Sequence, residues 1–257
     1  MMAHVPRTHD QAYPAPDQFN LRVELLPLDD LAASMLLAGG PQMADGFAVR
    51  RDHGDHDAHV SVLITTDAWL AERTTSALPS TRRLVVTVLL ADTVPDGFSC
   101  PYILCTPRPE KLASLIIELR RLFLEPSLIG IDFTDYAPLF QHPGQIHFAQ
   151  QILSQGTSQT ATGAELGQQI IGTGGKPISL ILMLDYGENF SAADASNSDL
   201  LLRIDQVATA ILEPVPDERL DHILVAAYRP YSSEKCTISA FYTAGSDVLT
   251  CQNVGIE

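Results

Sequence analysis

Strand-like apolar segments and predicted helices alternate in the first half of the chain. Four segments have the length and pattern of strands, and the third, RLVVTVLLA, is almost continuously apolar: 21–25, 59–65, 83–91 and 102–106. A near-continuous apolar strand is typical of a parallel sheet that is covered on both faces. Three segments are predicted to be helices: 28–37, 68–78 and 109–125. This order predicts parallel pairing through right-handed crossovers.

The second half of the chain has a different order of elements. Strands are predicted at four segments: 145–153, 177–185, 222–228 and 237–242. Helices are predicted at 160–171 and 200–212, and Ile204, Val207 and Ile211 fall on one face of the second helix. This arrangement predicts a mixed sheet packed by two helices.

The chain is predicted to have three parts. Residues 1–18 are rich in proline, histidine and polar residues and have no hydrophobic period, which predicts a disordered leader. Residues 19–135 hold the strand–helix alternation and are predicted as one domain, and residues 136–257 are predicted as a second α/β domain. We find no internal repeat.

The net charge of the chain disfavours binding partners that are themselves negatively charged. Its 31 acidic and 16 basic residues give a formal net charge of −15. Such a field repels polyanions, so neither nucleic acid nor an anionic membrane surface is an expected partner. No segment approaches the roughly 20 apolar residues of a membrane helix, and there is no secretion signal at the N-terminus. We therefore expect a cytoplasmic protein with no direct membrane insertion.

A motif follows the third predicted helix. Residues 127–135 read SLIGIDFTD, which resembles the FtsZ synergy loop, of approximate pattern L-I-N-x-D-F-A-D. Asp132 and Asp135 match the two catalytic aspartates of that family, and Phe133 matches the aromatic residue between them. The family's asparagine falls on Gly130.

Further segments resemble FtsZ in the same order along the chain. They are the strand 145–156, the helix 161–171, the strand 178–185, the helix 200–212 and the closing segment 223–242. The resemblance covers residues 102–245 well and the preceding part only by order of elements. It implies an FtsZ/tubulin-like fold, with a truncated parallel-sheet N-terminal half and an α/β C-terminal domain that has a mixed sheet.

The glycine-rich loops that hold GTP in that family are missing. The first strand continues into Pro27–Asp30, and the second is followed by Thr66-Asp67-Ala68, so acids stand where the resemblance implies glycines. Only glycine lets backbone N–H groups approach phosphates closely. The segment Gly172–Lys176 superficially resembles a phosphate cradle, but Pro177 follows it and the P-loop spacing is absent. We therefore expect no cofactor and a pseudo-GTPase rather than an enzyme.

Two roles remain open for the aspartates of the motif. The resemblance implies that Asp132 and Asp135, with Gly130 and Phe133, form an interaction surface for FtsZ or an FtsZ-like subunit, with Asp132 and Asp135 as vestigial catalytic residues. Alternatively, the two aspartates cap a helix that begins before Tyr136.

Three functions follow from the resemblance. The first is a non-enzymatic FtsZ/tubulin-like protein, expected to be bacterial, that acts by protein–protein interaction, as a capper, regulator or scaffold of a filament or assembly. The second is a residual GTPase, a cytoskeletal protein of the cell-division type that uses a partner's nucleotide. The third is a structural scaffold that forms a homo-oligomer. The FtsZ linker and its membrane-adaptor peptide have no expected counterpart after the last predicted strand.

Other candidate chemistry is weaker. His53, His56 and His59 lie in a tract with three aspartates and are weak metal-ligand candidates, but a solvated loop is favoured because catalytic ligands usually come from separate elements. The four cysteines have no zinc spacing, and no G-x-S-x-G motif is present. Arg120 and Arg121 near a helix end complement its dipole and require no function.

Overall fold

The computed structural model describes thirteen segments of the chain. They are residues 21–38, 47–49, 58–78, 84–91, 94–95, 103–105, 109–140, 145–153, 158–172, 176–185, 197–215, 220–228 and 236–245. The predicted leader at 1–18 lies outside these described residues. All predicted strands and helices are present, with ends displaced by a few residues at most.

The strands and helices follow one another as the sequence predicts. The strands are β1 Val23–Pro27, β2 Ala48–Val49, β3 Val60–Thr65, β4 Leu84–Leu89, β5 Ile103–Cys105, β6 Gln145–Leu153, β7 Lys176–Asp185, β8 His222–Tyr228 and β9 Cys236–Gly245. The helices are α1 Asp30–Ala38, α2 Ala68–Ala77, α3 Pro109–Leu124, α4 Phe133–Tyr136, α5 Gln159–Gly172 and α6 Asn197–Leu212, and a 3-10 turn at Ala137–Phe140 follows α4. The short β2 was not predicted, because two residues carry no recognisable period, and neither was the 3-10 turn at Ala137–Phe140.

The described strands form one continuous sheet in the order β2-β1-β3-β4-β5-β6-β9-β7-β8. Strands β1 to β5 pair in parallel, as predicted. In the rest of the sheet β9 runs antiparallel to both β6 and β7, and β7 is parallel to β8, so this part is mixed. The predicted α/β class is therefore confirmed.

Helices cover both faces of the parallel part. Val62 and Val86, which are fully buried, share a core with Leu115 and Leu119 of α3. Leu63 belongs to a separate cluster on the opposite face, as the alternation of side chains along a strand requires. The continuous burial of β3 and β4 is thus explained by two covered faces.

The mixed part of the sheet has its own helix layer. Helices α5 and α6 pack over it through Leu166, Ile204 and Ile211. The two helix backbones approach closely because α5 carries glycine at the contact: a Cβ on Gly163 would lie 3.1 Å from the carbonyl oxygen of Val207, and one on Gly167 would collide with Ile211.

The predicted boundary between the two domains falls between residues 135 and 136. Strand β5 pairs with β6 across this boundary, at Ile103 with Gln145 and Leu104 with Ile146. The core beneath α3 also contains Ile181 of the mixed part. Hydrogen bonds and packing therefore join the two parts, and their division into separate domains stays a prediction. None of the described helices combines the length and the apolar character that crossing a membrane demands.

Candidate functional site

The parallel part of the sheet has a topological switch point between β1 and β3. The chain passes from β1 to β2 on one side and then places β3 on the other side of β1. In open α/β sheets, ligands bind beyond the carboxyl ends of the strands at such a point. Helices α1 and α2 begin here, and helix N-termini are favourable positions for phosphate groups. This crevice is therefore where a nucleotide is expected.

The carboxylate of Asp29 spans the crevice between β1 and β3. Its Oδ1 accepts a hydrogen bond of 2.8 Å from the N–H of Ala32, which caps the start of α1. Its Oδ2 accepts from the Thr65 hydroxyl at 2.8 Å and from the Thr66 N–H at 2.7 Å. The hydroxyl of Thr66 also donates to Oδ2, at 3.1 Å. These four donors are thus bound to the protein's own anion.

The pKa of Asp29 reflects these contacts. Burial raises the pKa, but the hydrogen bonds from the Ala32 and Thr66 N–H groups and from the Thr65 and Thr66 hydroxyls outweigh it, so the pKa lies below the ordinary value of 3.8. Asp29 is therefore ionised at neutral pH.

The start of α2 is capped in the same way. The carboxylate of Asp67 accepts hydrogen bonds from the N–H groups of Trp69 at 2.9 Å and of Leu70 at 3.3 Å. Asp67 has extended backbone angles, as an N-cap residue requires. Both helices that begin beside the crevice are therefore capped by aspartate.

These residues do not fit the phosphates of GTP, the ligand that the resemblance implies for the family. A triphosphate needs free N–H donors and close backbone approach. Here the N–H groups of Ala32 and Thr66 are bound to Asp29, those of Trp69 and Leu70 are bound to Asp67, and both carboxylates would repel the ligand.

The segment 127–135, which carries the synergy-loop motif, is attached to the sheet at β8. The Leu128 N–H donates to the carbonyl oxygen of Ala227 at 2.8 Å. The Ser127 hydroxyl accepts from the Ala227 N–H at 3.0 Å and from the Ile129 N–H at 3.2 Å. These hydrogen bonds hold the beginning of the segment, just after α3, against β8.

Asp132 and Asp135 take the helix-start role that the sequence left open. The Asp135 carboxylate accepts a hydrogen bond of 2.8 Å from the Asp132 N–H, and the Asp135 N–H donates to the Asp132 carbonyl at 3.1 Å. This is the back-reaching half of a capping box at the start of α4. Both aspartates are exposed.

The aromatic residue of the motif faces the interior. Phe133 is buried and lies edge-on to Tyr136, with ring centroids 5.2 Å apart. Burial, together with the charges of Asp132 and Asp135, raises the pKa of Tyr136, so its hydroxyl stays neutral. Gly130 is exposed, with open space where a side chain would stand. Of the four predicted interface residues, Gly130, Asp132 and Asp135 are thus exposed and Phe133 is buried, and their part in an interaction stays a prediction.

The metal candidates do not converge within the described residues. His53 and His56 lie outside them, and the Nδ1 atom of His59 accepts a hydrogen bond of 3.1 Å from the Arg22 N–H. In the part of the chain that the structure describes, no three His, Cys, Asp or Glu side chains are close enough to hold a metal ion. Cys236 is a free, buried thiol.

One group of residues was misjudged from the sequence. Arg121 does not merely complement a helix dipole: it is buried, and its guanidinium lies 2.6 Å from the Asp185 carboxylate. Glu118, one turn earlier on α3, is buried as well. The sequence did contain one indication that Glu118 and Arg121 are buried: both lie at the edge of the apolar face of α3, beside Leu115 and Leu122.

Solved structures share this fold. CetZ2 from Haloferax volcanii, in a GTPγS-bound protofilament, matches with a TM-score of 0.55 and 7% identity over 88% of this chain and 94% of that chain. TubZ from Bacillus thuringiensis serovar israelensis, in GDP-form protofilaments, matches with a TM-score of 0.53 and 7% identity over 87% of this chain and 85% of that chain. The chain therefore has the FtsZ/tubulin-like fold, as the motif predicted.

A further match is to FtsZ from M. jannaschii, in a W319Y mutant, with a TM-score of 0.43 and 12% identity; it covers 74% of this chain and 57% of that chain. No protein-family model and no curated protein sequence matches the chain.

Proposed function

We propose that this chain is a non-enzymatic FtsZ/tubulin-like protein that binds no GTP of its own and acts through protein–protein interaction. The segment 127–135 supplies the contact surface, and the partner is FtsZ or an FtsZ-like subunit. A molecule with one competent face caps or regulates a filament, because addition stops after it has bound.

The hydrogen bonding of Asp29 carries the first part of the proposal. Its carboxylate joins the start of α1 to Thr65 and Thr66 at the end of β3. An ionised carboxylate at the switch point supplies the negative charge that a phosphate would otherwise bring. Replacing these contacts with a nucleotide would leave Asp29 facing another anion.

The shape of the segment 127–135 supports the second part. Ser127 and Leu128 hold one end to β8, and α4 begins at the other end with Phe133 buried. Between these two fixed points the chain presents Gly130 and Asp132, both exposed. A rigidly supported loop costs little conformational entropy when it binds a partner.

A second function is favoured by one observation. Asp132 directly precedes α4 and is exposed, so a bound subunit can contact this residue. The alternative proposal is therefore a residual GTPase function, in which Asp132 acts on a nucleotide held by the partner.

The test measures GTP turnover by FtsZ from the same organism, titrated with the full chain. We expect turnover to change at substoichiometric amounts of the chain, and we expect the chain alone to neither bind nor hydrolyse GTP. An Asp132→Ala variant should lose the effect. Asp205→Ala, which removes an exposed aspartate from α6, is the matched control and should keep it.

The outcomes separate the proposals. Stoichiometric GTP binding by the chain alone would contradict the assignment of the crevice. A fall in turnover that Asp132→Ala abolishes supports capping, whereas a rise that the variant abolishes supports the residual GTPase function. No effect of the chain on turnover would rule out an FtsZ partner and favour the homo-oligomeric scaffold.

A further inference from the structure

A cluster of three charged side chains is buried between α3 and the mixed part of the sheet. Glu118 and Arg121 lie one turn apart on α3, and Asp185 is the last residue of β7. The guanidinium of Arg121 lies 2.6 Å from Asp185 and 3.3 Å from Glu118. All three residues are at most 3% exposed, so bulk water screens the cluster little.

Neutral side chains from two further strands complete the cluster. The Thr237 N–H and hydroxyl, on β9, both donate to Asp185 at 2.8 Å. The amide of Gln150, on β6, donates to Glu118 at 3.1 Å and to the Ser239 hydroxyl at 3.0 Å. The ion pairs and hydrogen bonds of the cluster therefore join α3 to β6, β7 and β9.

The charges in the cluster do not balance when both carboxyl groups are ionised. Besides its three members, the described titratable, charged and polar groups around the cluster are Arg120 on α3, Glu125 directly after α3, Gln150 on β6, Tyr228 on β8, Thr237 and Ser239 on β9, and Tyr136 on α4. Among these groups and the three members, Arg121 is the one buried cation, and it meets two buried carboxylates. Leaving one buried negative charge without a full counter-charge is costly.

Burial raises the pKa of both carboxyl groups, and the contacts favour Glu118 over Asp185 as the site of an additional proton. The Arg121 guanidinium is closer to Asp185, which also accepts both hydrogen bonds from Thr237. Burial, opposed by the charge of Arg121 and reinforced by that of Asp185, raises the pKa of Glu118 from 4.5 to about 7.

We propose that Glu118, Arg121 and Asp185 form a proton-dependent lock, which holds α3 against the mixed sheet when Glu118 is protonated and loosens when both carboxyl groups are ionised. The segment 127–135 follows α3, and its anchor at Ala227 adjoins Tyr228. The guanidinium of Arg121 lies over the Tyr228 ring, 5.8 Å from its centroid. The lock therefore controls how firmly the proposed interaction loop is held.

The sign of the pH dependence follows from the raised pKa. Glu118 is protonated in the folded chain up to about pH 7 and in the unfolded chain only below about 4.5. Its contribution to stability is thus fully present below 4.5, is lost as the pH rises, and is gone above about 7. The equilibrium between folded and unfolded chain should shift by about tenfold per pH unit within this window.

The first test compares the wild type with Glu118→Gln, which mimics the protonated side chain, by chemical denaturation between pH 5 and pH 8. The folding constant of the variant relative to the wild type should rise with pH, by about tenfold per unit, and level off above pH 7. Glu165→Gln, the same change at an exposed position on α5, should leave the ratio constant. A constant ratio for Glu118→Gln would overturn the proposal.

The second test uses the wild type and so does not depend on the variant folding. Carbon-13 NMR should show the Glu118 carboxyl titrating near pH 7, and a midpoint near 4.5 would overturn the proposal. Amide hydrogen exchange, corrected for the intrinsic rate, should show α3 and Leu128 less protected at pH 8 than at pH 6. Equal protection at both pH values would show that the cluster binds a proton without acting as a lock. Because neither test involves FtsZ or GTP, their failure is distinct from that of the proposed function.

Discussion

Asp29 and Glu118 are both carboxylic acids with several hydrogen-bond partners, yet their pKa values move in opposite directions. Asp29 is only partly buried, and its partners are neutral donors from Ala32, Thr65 and Thr66. Glu118 is fully buried and shares Arg121 with a second carboxylate. Donors that face a partly exposed anion stabilise its charge, whereas burial with too few cations favours protonation.

The two acids also differ in how their charge is expected to depend on pH. Asp29 is ionised near neutral pH and joins the start of α1 to the end of β3. In the proposed lock, Glu118 instead exchanges its proton near pH 7, and the contact between α3 and the mixed sheet depends on that proton. Three changes sharpen this contrast.

The largest effect should come from Arg121→Met, which keeps much of the side-chain volume but removes the only cation of the cluster. Glu118 and Asp185 are then buried without a counter-charge. We expect a loss of about 3–5 kcal/mol in the free energy of unfolding at pH 7.5, measured by chemical denaturation. The loss should shrink towards pH 5, because protonation of the carboxyl groups relieves the repulsion. A loss below 1 kcal/mol at pH 7.5 would contradict the buried ion pair.

A smaller effect is expected for Asp29→Ala. The variant loses the cap of α1 and the bridge to Thr65 and Thr66, which we expect to cost about 2 kcal/mol at pH 7. Because the pKa of Asp29 is lowered, its contribution is present above the ordinary value of 3.8 and is lost as the pH falls below it. The difference from the wild type should therefore shrink in acid, opposite in sign to the effect at Glu118. Denaturation at pH 3 and pH 7 measures it, with Asp30→Ala, an exposed neighbour, as the control.

The smallest effect is expected for Asp135→Ala. The variant removes the hydrogen bond to the exposed Asp132 at the start of a helix of four residues, which should cost roughly 0.5–1 kcal/mol. Hydrogen exchange at the Asp132 amide should accelerate while that at β8 stays unchanged. Unchanged exchange at Asp132 would mean that Asp135 has no capping role.

The sequence predicted the elements better than it predicted the long-range polar contacts. The run RLVVTVLLA and the helix face through Leu115 and Leu119 are local patterns, and both lie as predicted. The absence of glycine beside Asp29 was also local. By contrast, the ion pair between Arg121 and Asp185 joins α3 to the end of β7, which lies far along the chain. Neither residue has a local pattern that indicates its partner.

The aspartates of the motif show the limit of a resemblance. The spacing of Asp132 and Asp135 fits both the motif and a capping box, because each places two acids three positions apart at the start of a helix. The structure shows the capping hydrogen bond directly. Contact with a partner depends on a second molecule, so no pattern within one chain decides it.

The anchor at Ala227 has a consequence for solubility. Strand β8 ends the sheet in the described residues, and an outermost strand offers its N–H and C=O groups to the strands of other molecules. Ser127 and Leu128 occupy both backbone groups of Ala227 on that side. The segment that is proposed to recruit a filament subunit therefore also covers this part of the sheet edge, and a change at Ser127 would expose the backbone of Ala227 to other strands as well as disturb recognition.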